Sequence, residues 1–161
     1  MIILGVDPGT AATGFGLVRK TKKQLRCLGW GVIKTDPQLP PEQRLKQLNN
    51  QLTALLRGRK PDLMAVEAIF FFKNLKTAMP VSEARGVILL TAAKKKIPVV
   101  QLTPLQIKMA VCGYGRADKK QVQKMIKEIL ELKEIPRPDD AADALAAAVC
   151  CSQNRVWKKY S

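Results

Sequence analysis

The sequence predicts an α/β domain in which a mixed sheet of five strands is flanked by helices. Three observations carry that expectation. Two short apolar runs, residues 2–6 and 63–66, each end in a single carboxylate, Asp7 and Glu67. Between them lies a stretch with apolar residues at helical spacing, long enough for the crossover that makes two strands parallel. The amino-terminal part reads as consecutive strands, and the second half as helices around one more strand.

The opening run, Ile2-Ile3-Leu4-Gly5-Val6, contains nothing polar and reads as a strand buried on both faces. Pro8 and Gly9 follow Asp7 at once, and a type II turn needs positive φ at the glycine. Asp7 therefore stands at the carboxyl end of a central strand, where open α/β sheets place ligands; the plainer alternative is a hydrogen bond to its own turn. Residues 14–20 and 25–35 read as two further strands joined by the basic turn Lys20-Thr21-Lys22-Lys23. Gly14 and Gly16 inside a strand pattern mark either a bulge or a close approach to the backbone. Leu45, Leu48, Leu52, Leu55 and Leu56 form one face of a helix, with Arg44, Lys46, Asn49 and Asn50 on the other, and Gly58 and Pro61 end it.

Residues 63–67 repeat the opening theme, so Asp7 and Glu67 are expected side by side at one sheet edge. Phe70-Phe71-Phe72 follow, and side chains of an extended segment alternate, so at least one phenylalanine is expected to be exposed. Residues 75–95 read as a helix, with Pro80 implying a kink or a late start. Residues 98–102 give the fifth strand. Thr103-Pro104 opens a short helix carrying Lys108, and Asp118 with Gln121 caps the next. That helix buries Val122, Met125, Ile126, Ile129 and Leu130 and lines its other side with Lys120, Lys124 and Lys127. In the last helix, rich in alanine, Asp139 stands as the expected N-cap, and Asp140 and Asp143 share one face.

Composition narrows the chemistry. The 161 residues suit one domain, with Lys and Arg exceeding Asp and Glu by 28 to 13, a net charge of +15. That excess attracts polyanions, nucleic acid first among them. No apolar run approaches a membrane span, the apolar start lacks the flanks of a signal peptide, and Cys27, Cys112, Cys150 and Cys151 read as reduced thiols, so a cytoplasmic location is expected. The chain has no histidine, which excludes imidazole bases, Ser-His and Cys-His nucleophiles and the His-Glu-x-x-His zinc site. Carboxylates from two strand ends and one helix start, on a basic chain, point instead to metal-dependent phosphoryl chemistry on nucleic acid, with two Mg²⁺ ions roughly 4 Å apart.

The opening Gly5-Val6-Asp7-Pro8-Gly9-Thr10 belongs to a wider pattern. With it go Val66-Glu67, Phe70-Phe71, Lys73-Asn74 and Glu83-Ala84-Arg85-Gly86. Gly113 to Gly115 with Lys119, Gln121-Val122-Gln123, and Asp140-Ala141-Ala142-Asp143-Ala144-Leu145-Ala146 complete it. Together these resemble the RuvC family of bacterial Holliday junction resolvases, colinearly over nearly the whole chain. The resemblance implies an RNase H-like fold over residues 1–154 with a short basic tail at 155–161, a homodimer, and Mg²⁺-dependent paired nicking of four-way DNA junctions in recombination and repair. It also implies joint action with the RuvA–RuvB branch-migration complex. By position, Asp7, Glu67, Asp140 and Asp143 match the metal-binding acids, for two Mg²⁺ that Mn²⁺ can replace. Phe70 matches the aromatic at the junction, and Lys108 and Lys119 match basic residues near the active site. Lys73, Asn74, Arg116, Lys120 and Lys124 are further DNA-contact candidates. Pro80 departs from the family's uninterrupted helical stretch, and Cys150-Cys151-Ser152 lacks the histidine that many members carry there.

Rival readings are a YqgF-like nuclease of the same fold acting on RNA, an actin-like ATPase and a non-catalytic DNA-binding module. The phenylalanine run and Gln121-Val122-Gln123 favour RuvC over the first. The chain is too short for the two lobes of the second. Four acids would weaken polyanion binding in the third unless they hold metal.

Overall fold

The computed structural model of the protein describes residues 1–68 and 75–153. Five strands form one sheet: β1 (Ile2–Asp7), β2 (Ala12–Lys20), β3 (Leu25–Lys34), β4 (Leu63–Glu67) and β5 (Val99–Leu102), in the order β3-β2-β1-β4-β5. β1 lies at the centre, antiparallel to β2 and parallel to β4, and β5 extends the parallel half. The mixed sheet expected from the sequence is the one observed.

The helices divide between the two faces. α1 (Pro41–Arg59) and α2 (Leu75–Lys94) cover one, packing Leu48, Leu52, Leu56, Ala84 and Ile88 on Leu4, Val6, Met64 and Val66. On the other face lie α3 (Pro104–Cys112), α4 (Lys119–Ile129) and α5 (Asp139–Gln153), with Ile107, Val122, Ile126 and Leu145 against Ile3, Leu63, Ala65 and Leu102. Strand alternation sorts the residues: Leu4 and Val6 face α1 and α2, whereas Ile3 and Gly5 face α5. Capping boxes open α3 and α4, Thr103 with Gln106 and Asp118 with Gln121, so both helix starts are held by reciprocal hydrogen bonds. Among the described residues no helix is long and apolar enough to cross a membrane. None of the four cysteines is joined in a disulfide.

Several local expectations are corrected. α1 runs through Gly58 to Arg59, and Lys60 takes the left-handed turn, φ 44°, donating its N–H to the Leu56 carbonyl. Arg44 and Asn49 are not a solvated face: Arg44 reaches the loop after β1, and Asn49 accepts a 2.8 Å hydrogen bond from Thr91 of α2. Pro80 lies inside α2, which starts at Leu75 and not after the proline. Asp139 is the first residue of α5 and not its cap; its carboxylate turns sideways to Gln123 and Lys119.

Candidate active site

The site forms where strand ends and a helix start converge on the α5 side of the sheet. Val6 pairs with Val66 across the parallel β1–β4 ladder, so Asp7 and Glu67, the next residues, end adjacent strands at the same level. Alternation puts both on the face of Ile3, Gly5, Leu63 and Ala65, the face that α5 covers.

Glycines bring α5 to them. Asp7 pairs with Gly14 of β2, and a Cβ at Gly14 would stand 2.0 Å from the Asp140 carbonyl oxygen. At Gly5 a Cβ would stand 1.8 Å from the Ala144 carbonyl oxygen, and at Gly16 it would meet the Leu145 side chain at 2.7 Å. The helix backbone thus lies directly on the sheet, and Ala141, Ala142, Ala144 and Ala146 to Ala148 are fully buried in the contact. The close approach expected at Gly14 and Gly16 is real, but what approaches is α5. The one register shift between β2 and β3 falls at Leu17/Val18 instead.

The loop after Asp7 is braced from behind. Thr13 Oγ1 donates to the Gly9 carbonyl at 2.7 Å, and Thr35 Oγ1 donates to the Thr10 carbonyl at 2.7 Å. The Arg44 guanidinium donates to the Thr10 carbonyl and to Thr35 Oγ1, both at 3.0 Å. Gly9 is not in the left-handed region that a type II turn requires. It is glycine for space, because a Cβ there would stand 2.2 Å from the Ala12 carbonyl oxygen.

The acids act on one another. Burial, then the negative charges of Glu67, Asp143 and Asp140, push the Asp7 carboxyl up to about 8, against the pull of Lys119. Burial and Asp143 push Glu67 up to about 7, with Lys108 and Lys119 opposing. Burial also raises Asp143, although Lys119 stabilises its charge. Each group is thus held where its ionised form is disfavoured unless a cation arrives.

Two clefts meet here. The first, of about 200 Å³, is lined by Glu67, Pro104, Ile107, Lys108, Lys119, Val122 and Asp143. The second, of about 560 Å³, is basic: Lys119, Lys120, Lys124 and Arg137 line it with Gln123, Asp139 and Asp140. Lys119 is the wall between them. Its ammonium lies 3.2 Å from Asp143 Oδ2 and 3.4 Å from Asp139 Oδ2.

The structure therefore brings together Asp7, Glu67, Asp140, Asp143, Lys108 and Lys119, and sets Lys120 and Lys124 along the adjoining cleft. Arg116 is exposed on the loop before α4. Phe70, Lys73 and Asn74 lie outside the described residues. Arg44, Thr13 and Thr35, which brace the loop, and Gln123 and Arg137 in the basic cleft were not singled out for the site from the sequence; ordinary hydroxyls, amides and guanidiniums give no pattern until the fold assembles them.

The donor set fits a hard divalent cation. All the candidate ligands are carboxylates, the oxygen donors that Mg²⁺ and Mn²⁺ favour, and their mutual repulsion is what a cation would relieve. In this conformation no three acid or cysteine side chains among the described residues stand close enough to enclose an ion. Among the described residues, the cation paired with Asp143 is the Lys119 ammonium.

Comparison with known proteins places the chain in a family. The family model described as crossover junction endodeoxyribonuclease RuvC matches residues 3–151. The crossover junction endodeoxyribonuclease RuvC of Syntrophomonas wolfei is 54% identical over 150 residues, 93% of this chain and 87% of its own. The Thermus thermophilus RuvC structure superposes with a TM-score of 0.85 at 37% identity, covering 93% of this chain and 92% of that one. The same protein in complex with Holliday junction substrate gives 0.84 at 34%, with the same coverage. The match favours the RuvC reading over a YqgF-like RNA nuclease, and the fold is the RNase H-like one. With its acids at the sheet edge and this likeness over nearly its full length, the chain belongs to the RuvC family of crossover junction endodeoxyribonucleases.

Proposed function

We propose that this chain resolves four-way DNA junctions by paired symmetric nicks, with Asp7, Glu67, Asp140 and Asp143 holding two Mg²⁺ ions that Mn²⁺ can replace. The observation that carries the reading is the convergence of Asp7, Glu67 and Asp143, three buried or half-buried carboxylates whose charges oppose one another at one sheet edge. When bound, the cations supply Lewis-acid stabilisation of charge on the scissile phosphate, worth several kcal/mol. The protein's own part is positioning. The Gly14–Asp140 contact and the braced loop after Asp7 fix the carboxylates before substrate arrives. Lys108 and Lys119 flank the acids and offer positive charge to phosphate oxygens. Lys120 and Lys124 give the backbone of the nicked strand a basic path away from the site. Arg116, Lys73 and Asn74 extend the DNA contacts, and Phe70 works by stacking or wedging at the branch point.

Paired cuts on strands related by two-fold symmetry call for two copies of a chain with one set of acids. The exposed ridge of α2 supports a homodimer: Met79 is 70% and Leu90 54% exposed, and Gly86 between them is open. Cysteines outside any disulfide suit the reducing cytoplasm, and the RuvA–RuvB complex is the partner that the family resemblance implies. The test is incubation with a synthetic four-way junction, matched duplex and structured RNA, with and without Mg²⁺. Paired nicks in the junction alone, only with Mg²⁺, are expected. Equal cutting of RNA, or cutting with chelator present, would overturn the reading.

A further inference from the structure

Asp139 is the acid for which the reaction has no evident use. It stands with its side chain 59% exposed in a cleft lined by Lys120, Lys124 and Arg137, where a carboxylate repels the phosphates that such a cleft attracts. It does not serve as the cap of α5, although it stands at the helix start. Its oxygens are committed elsewhere: Gln123 Nε2 donates to Oδ1 at 2.8 Å, and the Lys119 ammonium lies 3.4 Å from Oδ2. The same ammonium lies 3.2 Å from Asp143.

We propose that Asp139 is a positioning residue for Lys119: oriented by Gln123, it gives the ammonium a second partner, so that Lys119 yields Asp143 to an incoming divalent cation. This rests on the reading of Asp143 as a cation ligand. The backbone at Lys119 is not what moves. Lys119 is the first residue of α4, directly after Asp118, whose capping box with Gln121 pins the helix start. Only the flexible lysine stem needs to swing, and the two carboxylates it bridges are at similar distances, so the displacement is small. Without Asp139, an ammonium leaving Asp143 would have no second carboxylate partner among the described residues. It would therefore compete longer with the cation for Asp143. A half-exposed ion pair is a modest lever, so the effect is a matter of severalfold, not orders of magnitude.

The test is Mn²⁺ binding to the DNA-free protein, followed by electron paramagnetic resonance of the unbound ion. Asp139→Asn should weaken Mn²⁺ binding roughly threefold, and Lys119→Met should tighten it by removing the competitor. In the Lys119→Met background, Asp139→Asn should have little effect, because there is no ammonium left to receive. Equal weakening in both backgrounds would mean that Asp139 acts only as a nearby negative charge, and would overturn the proposal. So would no weakening in the native background. Asp143→Asn separates the two readings: if it leaves Mn²⁺ binding unchanged, the metal-site assignment itself fails. In cleavage assays, Asp139→Asn should raise the Mg²⁺ concentration at half-maximal rate and leave the saturated rate intact. A lowered saturated rate with an unchanged midpoint would point to a direct role and refute positioning.

Discussion

Replacing Asp7 by Asn should make the metal-free protein more stable while destroying its activity. The carboxyl is pushed from 3.8 to about 8, by burial first and then by Glu67, Asp143 and Asp140. In the unfolded chain it ionises near 3.8, so folding at pH 7 must restore a proton that the unfolded chain has lost. The sign follows: the folded state binds more protons between these two values, so the group's contribution is most favourable at low pH and is lost as pH rises toward 8. At about 1.4 kcal/mol per pH unit, the cost at pH 7 reaches ~4 kcal/mol. Residual water and relaxation of the site reduce that to roughly half, ~2 kcal/mol. Asparagine carries no charge at any pH and escapes the cost. In a chain of this size, ~2 kcal/mol is about 4–8 °C in Tm. Differential scanning calorimetry with chelator present, at pH 5, 6 and 7, should show Asp7→Asn melting above the wild type, by more at each higher pH. Excess Mg²⁺ should raise the wild-type Tm and leave the variant unmoved. Cleavage of a four-way junction should be lost, with binding retained. A variant that melts at or below the wild type at pH 7 without metal, or a gain that does not grow with pH, would refute the reasoning.

Gly14→Ala should damage both stability and activity, because its Cβ would meet the Asp140 carbonyl oxygen at 2.0 Å and α5 must move away; a loss of about 1–3 kcal/mol by urea denaturation, with a cleavage rate that falls further than the melting alone explains, is the expected result. Lys108→Met should slow the rate of bound complex more than it weakens junction affinity, since Lys108 faces Glu67 in the acid cleft; a normal bound rate with a salt slope flattened by about one would make it an ordinary phosphate contact instead. Leu90→Asp on the exposed ridge of α2 should shift sedimentation toward monomer and uncouple the two nicks, with secondary structure unchanged by circular dichroism.

Much of the architecture was legible in local patterns. Apolar runs, helical periodicity and capping residues located the strands and helices to within a few residues, because burial and helix ends leave their marks in the chain itself. The parallel pairing of the two acid-tipped strands followed from the helix between them, and the missing histidines with the basic excess narrowed the chemistry before any geometry. The caps of α3 and α4 could be anticipated because capping is settled within four residues. What the sequence could not determine were contacts between segments far apart in it. Gly14 fits a bulge or a close approach equally well until α5 is laid across it. Arg44 looks like a solvated helix residue until Thr10 and Thr35 fold back to meet it. Asp139 has the sequence of an N-cap, but Gln123 and Lys119 from α4 take its carboxylate. In each case the local pattern allows two uses of a residue with comparable free energy, and the neighbour that tips the balance arrives only when the sheet and its helices close on one another.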